Sequence, residues 1–169
     1  MHAAGASGTP AAADYRHAIS RFATGVTVVS TVHDGVRHGM TVSSLTSVSL
    51  DPILLLFCCG KDSTLHAPVL AAGQWAVSVL PATRERLGQH FATHAPPGAD
   101  QFAGQDVVPG PRTGAPVVLG ALAWLECRTW ATYDGGDHTI VVGEVIGLEI
   151  GAEADPLLYY RSDYRALDL

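Results

Sequence analysis

Residues 119–133 and 138–150 are two long runs rich in Val, Ile, Leu, Thr and Trp, separated only by Asp134-Gly135-Gly136-Asp137. Two such runs flanking a glycine-containing turn fold back on each other as an antiparallel hairpin. A hairpin alone is marginal in water, so the rest of the chain must supply further strands. It does. Residues 26–32 are dominated by β-branched side chains and end at Asp34-Gly35, a strong hairpin-turn dipeptide, with a return strand over 37–43. Residues 44–50 lead to Asp51-Pro52, which should interrupt sheet pairing. Residues 53–59 form a continuous apolar run, short enough for a strand buried on both faces, and 73–80 reads as another strand. Strands and helices do not alternate in βαβ rhythm, and no segment repeats. The pattern predicts a mainly β chain, a closed or nearly closed antiparallel barrel with two or three peripheral helices.

Three helices are expected. Asp14 offers an N-cap ahead of Tyr15, Ala18, Ile19 and Phe22 at helical spacing, with a stop near Gly25. Ser63 offers a cap for a short helix ending about Leu70, and 81–93 reads as a third. Residues 1–13 are an Ala/Gly/Ser/Pro arm expected to be disordered, leaving one domain over 14–169. Residues 95–116 hold five Pro and four Gly. Such a stretch predicts a long surface loop, a candidate lid.

Composition removes several functions. A length of 169 residues with 47% hydrophobic residues suits one cored domain. The net charge of −6, with ten scattered basic residues, argues against nucleic-acid binding, which needs a concentrated basic face. An anionic ligand must therefore be held by a few local donors. No stretch approaches the roughly 20 apolar residues of a membrane helix. The start of the chain lacks the basic head and apolar core of a secretory signal. Three cysteines, two adjacent (Cys58-Cys59) and one alone (Cys127), make no disulfide framework. A reducing, cytoplasmic setting fits.

Common catalytic signatures are missing. No GxGxxG follows a strand, Gly60-Lys61 lacks the rest of a phosphate-binding P-loop, and HExxH, CxxC and GxSxG do not occur. Cys58 and Cys59 share a predicted strand, so they point to opposite faces and make poor joint metal ligands. No histidine spacing suggests a metal centre. The informative run is instead 41–49, where six of nine residues are hydroxylic: Thr41, Ser43, Ser44, Thr46, Ser47 and Ser49, interrupted by Val42, Leu45 and Val48. Small hydroxylic side chains let a flat ligand approach the backbone and bond at its edge. A solvent-facing Ser/Thr strand has the same composition. One strand on, Gly60, Lys61, Ser63 and Thr64 sit where a helix is expected to begin, a place that suits a phosphate. Simple helix capping by Ser63 would use the same residues. Together the two segments describe a pocket for a planar ring with a phosphate tail.

These runs, with Gly25-Val26-Thr27-Val28-Val29-Ser30 before them and Gly135-Gly136-Asp137-His138-Thr139-Ile140-Val141-Val142-Gly143-Glu144-Val145 after them, resemble the short-chain flavin reductase family. Its members are the reductase components of two-component flavin-dependent monooxygenases. Gly114-Ala115-Pro116, Ala123-Trp124-Leu125-Glu126-Cys127 and Pro156-Leu157-Leu158-Tyr159-Tyr160-Arg161 extend the likeness from about Asp14 to Leu167. Each motif is loose, but their order and spacing are specific. The resemblance implies a split β-barrel of Greek-key type, of the FMN-binding split-barrel kind, assembled as a homodimer that binds FAD or FMN. It implies that Thr41, Val42, Ser43, Ser44, Ser47, Val48, Ser49 and Cys58 line the flavin ring. Gly60, Lys61, Ser63 and Thr64 would take the phosphate, and Tyr164 and Arg165 would lie near the flavin or the nucleotide. His138 would lie where the nicotinamide docks. Val42 and Leu45 depart from the Ala and Phe that many relatives carry.

The activity implied is NAD(P)H:flavin oxidoreduction, with reduced flavin passed to a separate monooxygenase. NADH is favoured over NADPH, because no basic cluster stands out to clamp a 2′-phosphate. Hydride transfer between stacked rings needs positioning more than a strong acid or base. The absence of a triad or paired carboxylates agrees with that. His138 is the expected positioning group, oriented by Asp137. The competing reading is a non-catalytic flavin carrier or sensor on the same barrel, which needs no nicotinamide site.

Overall fold

The structure, a computed structural model, describes residues 9–93 and 100–167. Most of the expected N-terminal arm (1–8) and the first part of the expected loop (95–99) lie outside the described residues. In chain order the elements are α1 (Ala12–Ile19), β1 (Thr24–Gly25), β2 (Thr27–His33), β3 (Val36–Val42), β4 (Thr46–Leu50), β5 (Ile53–Gly60), α2 (His66–Ala72), β6 (Gln74–Val79), a 3-10 turn (Ala82–Arg84) and α3 (Glu85–Ala92). There follow β7 (Val107–Pro109), β8 (Pro116–Val118), β9 (Ala123–Gly135), β10 (His138–Ile150), β11 (Leu158–Tyr160) and β12 (Asp163–Arg165).

Seven strands form one antiparallel sheet in the order β3-β2-β6-β9-β10-β5-β4. The β9–β10 hairpin lies near its centre, as its length demands. Its turn is tighter than expected: Gly135 pairs with His138, leaving only Gly136 and Asp137 as the loop. Gly136, at φ 79°, supplies the positive dihedral that a two-residue turn with glycine first requires. The β2–β3 turn does the same with Asp34 (φ 50°) and Gly35 (φ 75°). Asp51-Pro52 does not interrupt pairing. It forms the turn between β4 and β5, where Leu50 faces Ile53.

The sheet rolls up. Met40 and Val42 of β3 pack in the same core as Leu55, Phe57 and Cys59 of β5, although three strands separate β3 from β10 in the order and β5 lies beyond that. Leu65 and Val69 bring α2 into this core, beside Trp75 and Val141. No ladder joins the edge strands β3 and β4, so the barrel stays open along that seam. This is the split β-barrel expected from the sequence.

A second core covers the outer face of β2: Val26 and Val28 meet Leu87 and Phe91 of α3, Phe102 and Leu157. The strands buried on both faces are therefore β2 and β6. The apolar run of β5 alternates instead, with Leu55, Phe57 and Cys59 inward and Ile53 half exposed, because α3 spans β2 and not β5. The expected loop is also largely built in. Phe102 is buried, β7 and β8 pair, and the Gly110–Ala115 turn folds over Glu126. Glu126 is fully buried, and its Oε1 accepts bonds from the Arg112 amide (2.9 Å), the Thr113 amide (2.7 Å) and the Thr113 hydroxyl (2.7 Å). Among the described residues no helix is long and apolar enough to cross a membrane.

Candidate functional site at the open seam

The chain leaves β3 at Val42 and enters β4 at Thr46, so Ser43, Ser44 and Leu45 bridge the unpaired seam of the barrel. Their amides donate none of the loop and turn hydrogen bonds among the described residues. A cavity of about 750 Å³ opens beside this bridge. Its walls also come from Ile19, Phe22 and Thr24 near the N-terminus and from Tyr159 near the C-terminus. A smaller hollow of about 200 Å³ shares Ser43 and Tyr159 with it and is lined by Thr41 and Tyr164.

These walls suit a planar ring. Ile19 and Phe22 expose apolar surface, and the bridge offers hydroxyls with free amides. Thr24 adds a hydroxyl oxygen that is buried and has no partner, the one such side-chain atom among the described residues. A buried polar atom left alone costs free energy, which a ligand's polar edge would recover. On these grounds the residues present fit a flavin.

The structure divides the expected site residues into groups. Ser43 and Ser44 stand at the main cavity, and Thr41 and Tyr164 at the adjoining hollow. The Thr41 hydroxyl is already spent on the Gly88 carbonyl at 2.7 Å. Burial pushes the Tyr164 phenol above its usual range, with smaller contributions from Tyr159 and Glu85. Ser44 Oγ accepts the Cys58 amide at 3.0 Å, which fastens the bridge to β5 and brings Cys58 against it. Val42 differs from expectation: its side chain is buried in the barrel core, and the residue lines neither cavity. Ser47 and Val48 are exposed on the edge strand, and Ser49 Oγ is used by the Asp51 amide. Arg165 is paired with Asp163 at 3.0 Å. None of these four residues lines the cavity.

A second group gathers where β5 meets β10. His138 pairs with Gly60, two positions beyond the Cys58–Ile140 pair and so about 7 Å farther along the strand. His138 Nδ1 lies 2.7 Å from Asp137 Oδ1. That hydrogen bond is the main reason the Asp137 carboxyl is held below its ordinary range, with the His138 charge next. An ionised carboxylate only accepts, so Nδ1 is the donor. Nε2 lies over Gly60, 3.7 Å from where a β-carbon would stand. A β-carbon at 60 would make ordinary contact with the imidazole and a tight one, 3.1 Å, with Asp62 Oδ1.

The 60–64 segment is not the start of a helix. It is a turn, in which the Ser63 amide reaches the Gly60 carbonyl, and α2 begins only at His66 with no side-chain cap. Lys61 Nζ is 2.5 Å from Asp134 Oδ1. Its charge is thus compensated within the protein.

Sequence reasoning missed the walls supplied by α1, Thr24 and Tyr159. A signal is present in the helical spacing of Tyr15, Ile19 and Phe22, which gives a helix several large apolar side chains to cover. All three are exposed, and no residue of α1 is buried. The helix also starts earlier than expected, at Ala12 with Ala11 as N-cap, which places Asp14 in the first turn. The expected lid contributes nothing to the cavity among the described residues of 100–116.

An open-seamed barrel with a ring-sized cavity at the seam is the architecture of a flavin-handling split barrel. The chain belongs to the flavin reductase like domain family, whose pattern it matches over residues 19–168. It is 52% identical over 132 residues to the NADH-dependent FAD reductase of Streptomyces globisporus, covering 78% of this chain and 72% of that one. It is 38% identical over 156 residues to the flavin-dependent monooxygenase reductase subunit HsaB of Mycobacterium tuberculosis (strain H37Rv), covering 91% and 81%. The NADH:FAD oxidoreductase SgcE6 of Streptomyces globisporus, solved in complex with NAD and FAD fragments, superposes with a TM-score of 0.86. It is 42% identical, with 90% of each chain covered.

Proposed function

We propose that the protein is an NADH-dependent flavin reductase that supplies reduced flavin to a separate monooxygenase. The observation that carries this is the cavity at the β3/β4 seam, with its apolar walls, unspent amides and unpartnered Thr24 hydroxyl. Family membership and the names of its relatives support the same reading.

A flavin held at the seam would supply the redox chemistry, as acceptor of hydride from a dihydronicotinamide. The protein's part is to place and shield. Ser43, Ser44 and Leu45 meet the ring edge with backbone amides, and Ile19, Phe22 and Tyr159 keep water from its faces. His138, fixed by Asp137 through Nδ1, would position the nicotinamide. Gly60, Lys61, Ser63 and Thr64 form a polar turn beside it for a phosphate. Tyr164 flanks the flavin side.

The active form is a homodimer in the cytoplasm. Leu50, Ile53 and Val48 on the β4–β5 hairpin and Ile19 and Phe22 beside the cavity are exposed apolar residues that a partner surface would cover. A second subunit across the seam would cover them and bring Ser47 and Ser49 of β4 closer to ligand.

NADH oxidation followed by absorbance, with FAD, FMN or no flavin and with or without oxygen, tests the reading. Turnover that depends on added flavin, with reduced flavin accumulating anaerobically, is the expected result. Flavin binding without NADH oxidation would sink it and favour a carrier.

A further inference from the structure

We propose that Arg16 of α1 is a phosphate-binding residue of the cavity, receiving the phosphate of a nucleotide whose ring lies at the seam. This rests on the reductase reading. Arg16 lines the 750 Å³ cavity and forms no ion pair or side-chain hydrogen bond among the described residues. The other cations named for the site are spent, Lys61 on Asp134 and Arg165 on Asp163.

The charge balance requires such a group. In a chain of net charge −6, a phosphorylated ligand meets no general attraction and needs a local uncompensated cation. Arginine gives a phosphate two parallel donors. The cavity reads as one site from end to end: apolar surface from Ile19 and Phe22, the lone Thr24 hydroxyl, and Arg16 at the helix side. The Arg16 charge is also a minor influence on the Asp137 carboxyl, after the dominant hydrogen bond from His138. The phosphate of either a flavin or a nicotinamide nucleotide is a candidate for it.

The test compares wild type, Arg16→Ala and Arg16→Lys. Dissociation constants for riboflavin, FMN and FAD come from flavin fluorescence, and the NADH KM from turnover at saturating flavin. Riboflavin has the ring without the phosphate. Arg16→Ala is expected to weaken FMN and FAD roughly tenfold to a hundredfold, the range for one charge-assisted contact, with riboflavin changed by less than about twofold. Arg16→Lys should recover part of the loss, since it keeps the charge and gives up the fork. The same loss in NADH KM with unchanged flavin constants would also support the assignment and give the phosphate to the nicotinamide nucleotide. Equal weakening of riboflavin, or no change for any ligand, overturns it while leaving the reductase reading intact. A wild-type protein that neither binds flavin nor oxidises NADH overturns both. Folding is not at stake, because Arg16 is exposed and its side chain bonds nothing within the fold.

Discussion

Replacing Glu126 with Ala should destabilise the protein far more than an ordinary strand substitution. The carboxylate is fully buried on β9 and ends three donated bonds: the Arg112 amide, the Thr113 amide and the Thr113 hydroxyl. The hydroxyl can turn elsewhere, but the two amides are fixed by the Gly110–Ala115 turn, whose own closure is the Gly110 amide on the Ala115 carbonyl at 2.8 Å. Arg112 is exposed and Thr113 half-buried, so each amide counts as a lost hydrogen bond to a charged group, about 1–3 kcal/mol, and the vacated space adds on the order of 1 kcal/mol. The expected loss is about 3–7 kcal/mol. For a chain of this size each kcal/mol lowers Tm by roughly 2–4 °C, so a fall of at least about 6 °C follows. Glu126→Gln is the control: its amide oxygen can take the place of Oε1, and it should lose about half as much. Scanning calorimetry gives Tm for each variant, and hydrogen exchange at the 112 and 113 amides reports the turn directly. An Ala variant within about 2 °C of wild type, with both amides still protected, would refute the reasoning. Water would then be doing the work assigned to the carboxylate.

Three further outcomes can be checked. Gly143→Ala should cost about 3 kcal/mol by overpacking, read as a lower Tm, because a β-carbon there would overlap the buried Trp75 ring and sit 2.9 Å from Cys127 Cβ. His138→Ala should raise the NADH KM or lower kcat while flavin affinity stays within about twofold, in steady-state assays paired with flavin titration. Thiol labelling of the native protein near pH 8 should modify Cys58 alone. Burial and then the Glu126 charge push the Cys127 thiol up to about 12, and burial raises that of Cys59. A folded value raised above the unfolded one favours the native state below the unfolded pKa. The Cys127 contribution is therefore full below about pH 9 and is lost as pH climbs towards 12, which urea titrations across that range would show.

What the sequence determined by itself is what short windows encode. β10 runs over 138–150 as read, because alternating β-branched residues and a glycine turn need only their neighbours to be recognised. Asp34-Gly35 turns because the dipeptide tolerates two positive φ angles whatever surrounds it. Cys58 and Cys59 face opposite sides because strand pleating alone requires it. The hydroxylic run was also legible, as residue types unsuited to a core.

The tertiary structure decided the rest. The cavity depends on β3 and β4 failing to pair across the seam, and on α1, Thr24 and Tyr159 meeting there from opposite ends of the chain. Tyr15, Ile19 and Phe22 have the spacing of a core face, and only their exposure among the described residues shows them to be a surface. Glu126 looks like an ordinary outward charge until the 110–115 turn closes over it. In each case a residue's role is set by which distant segment reaches it. A period of two or 3.6 residues carries no record of that.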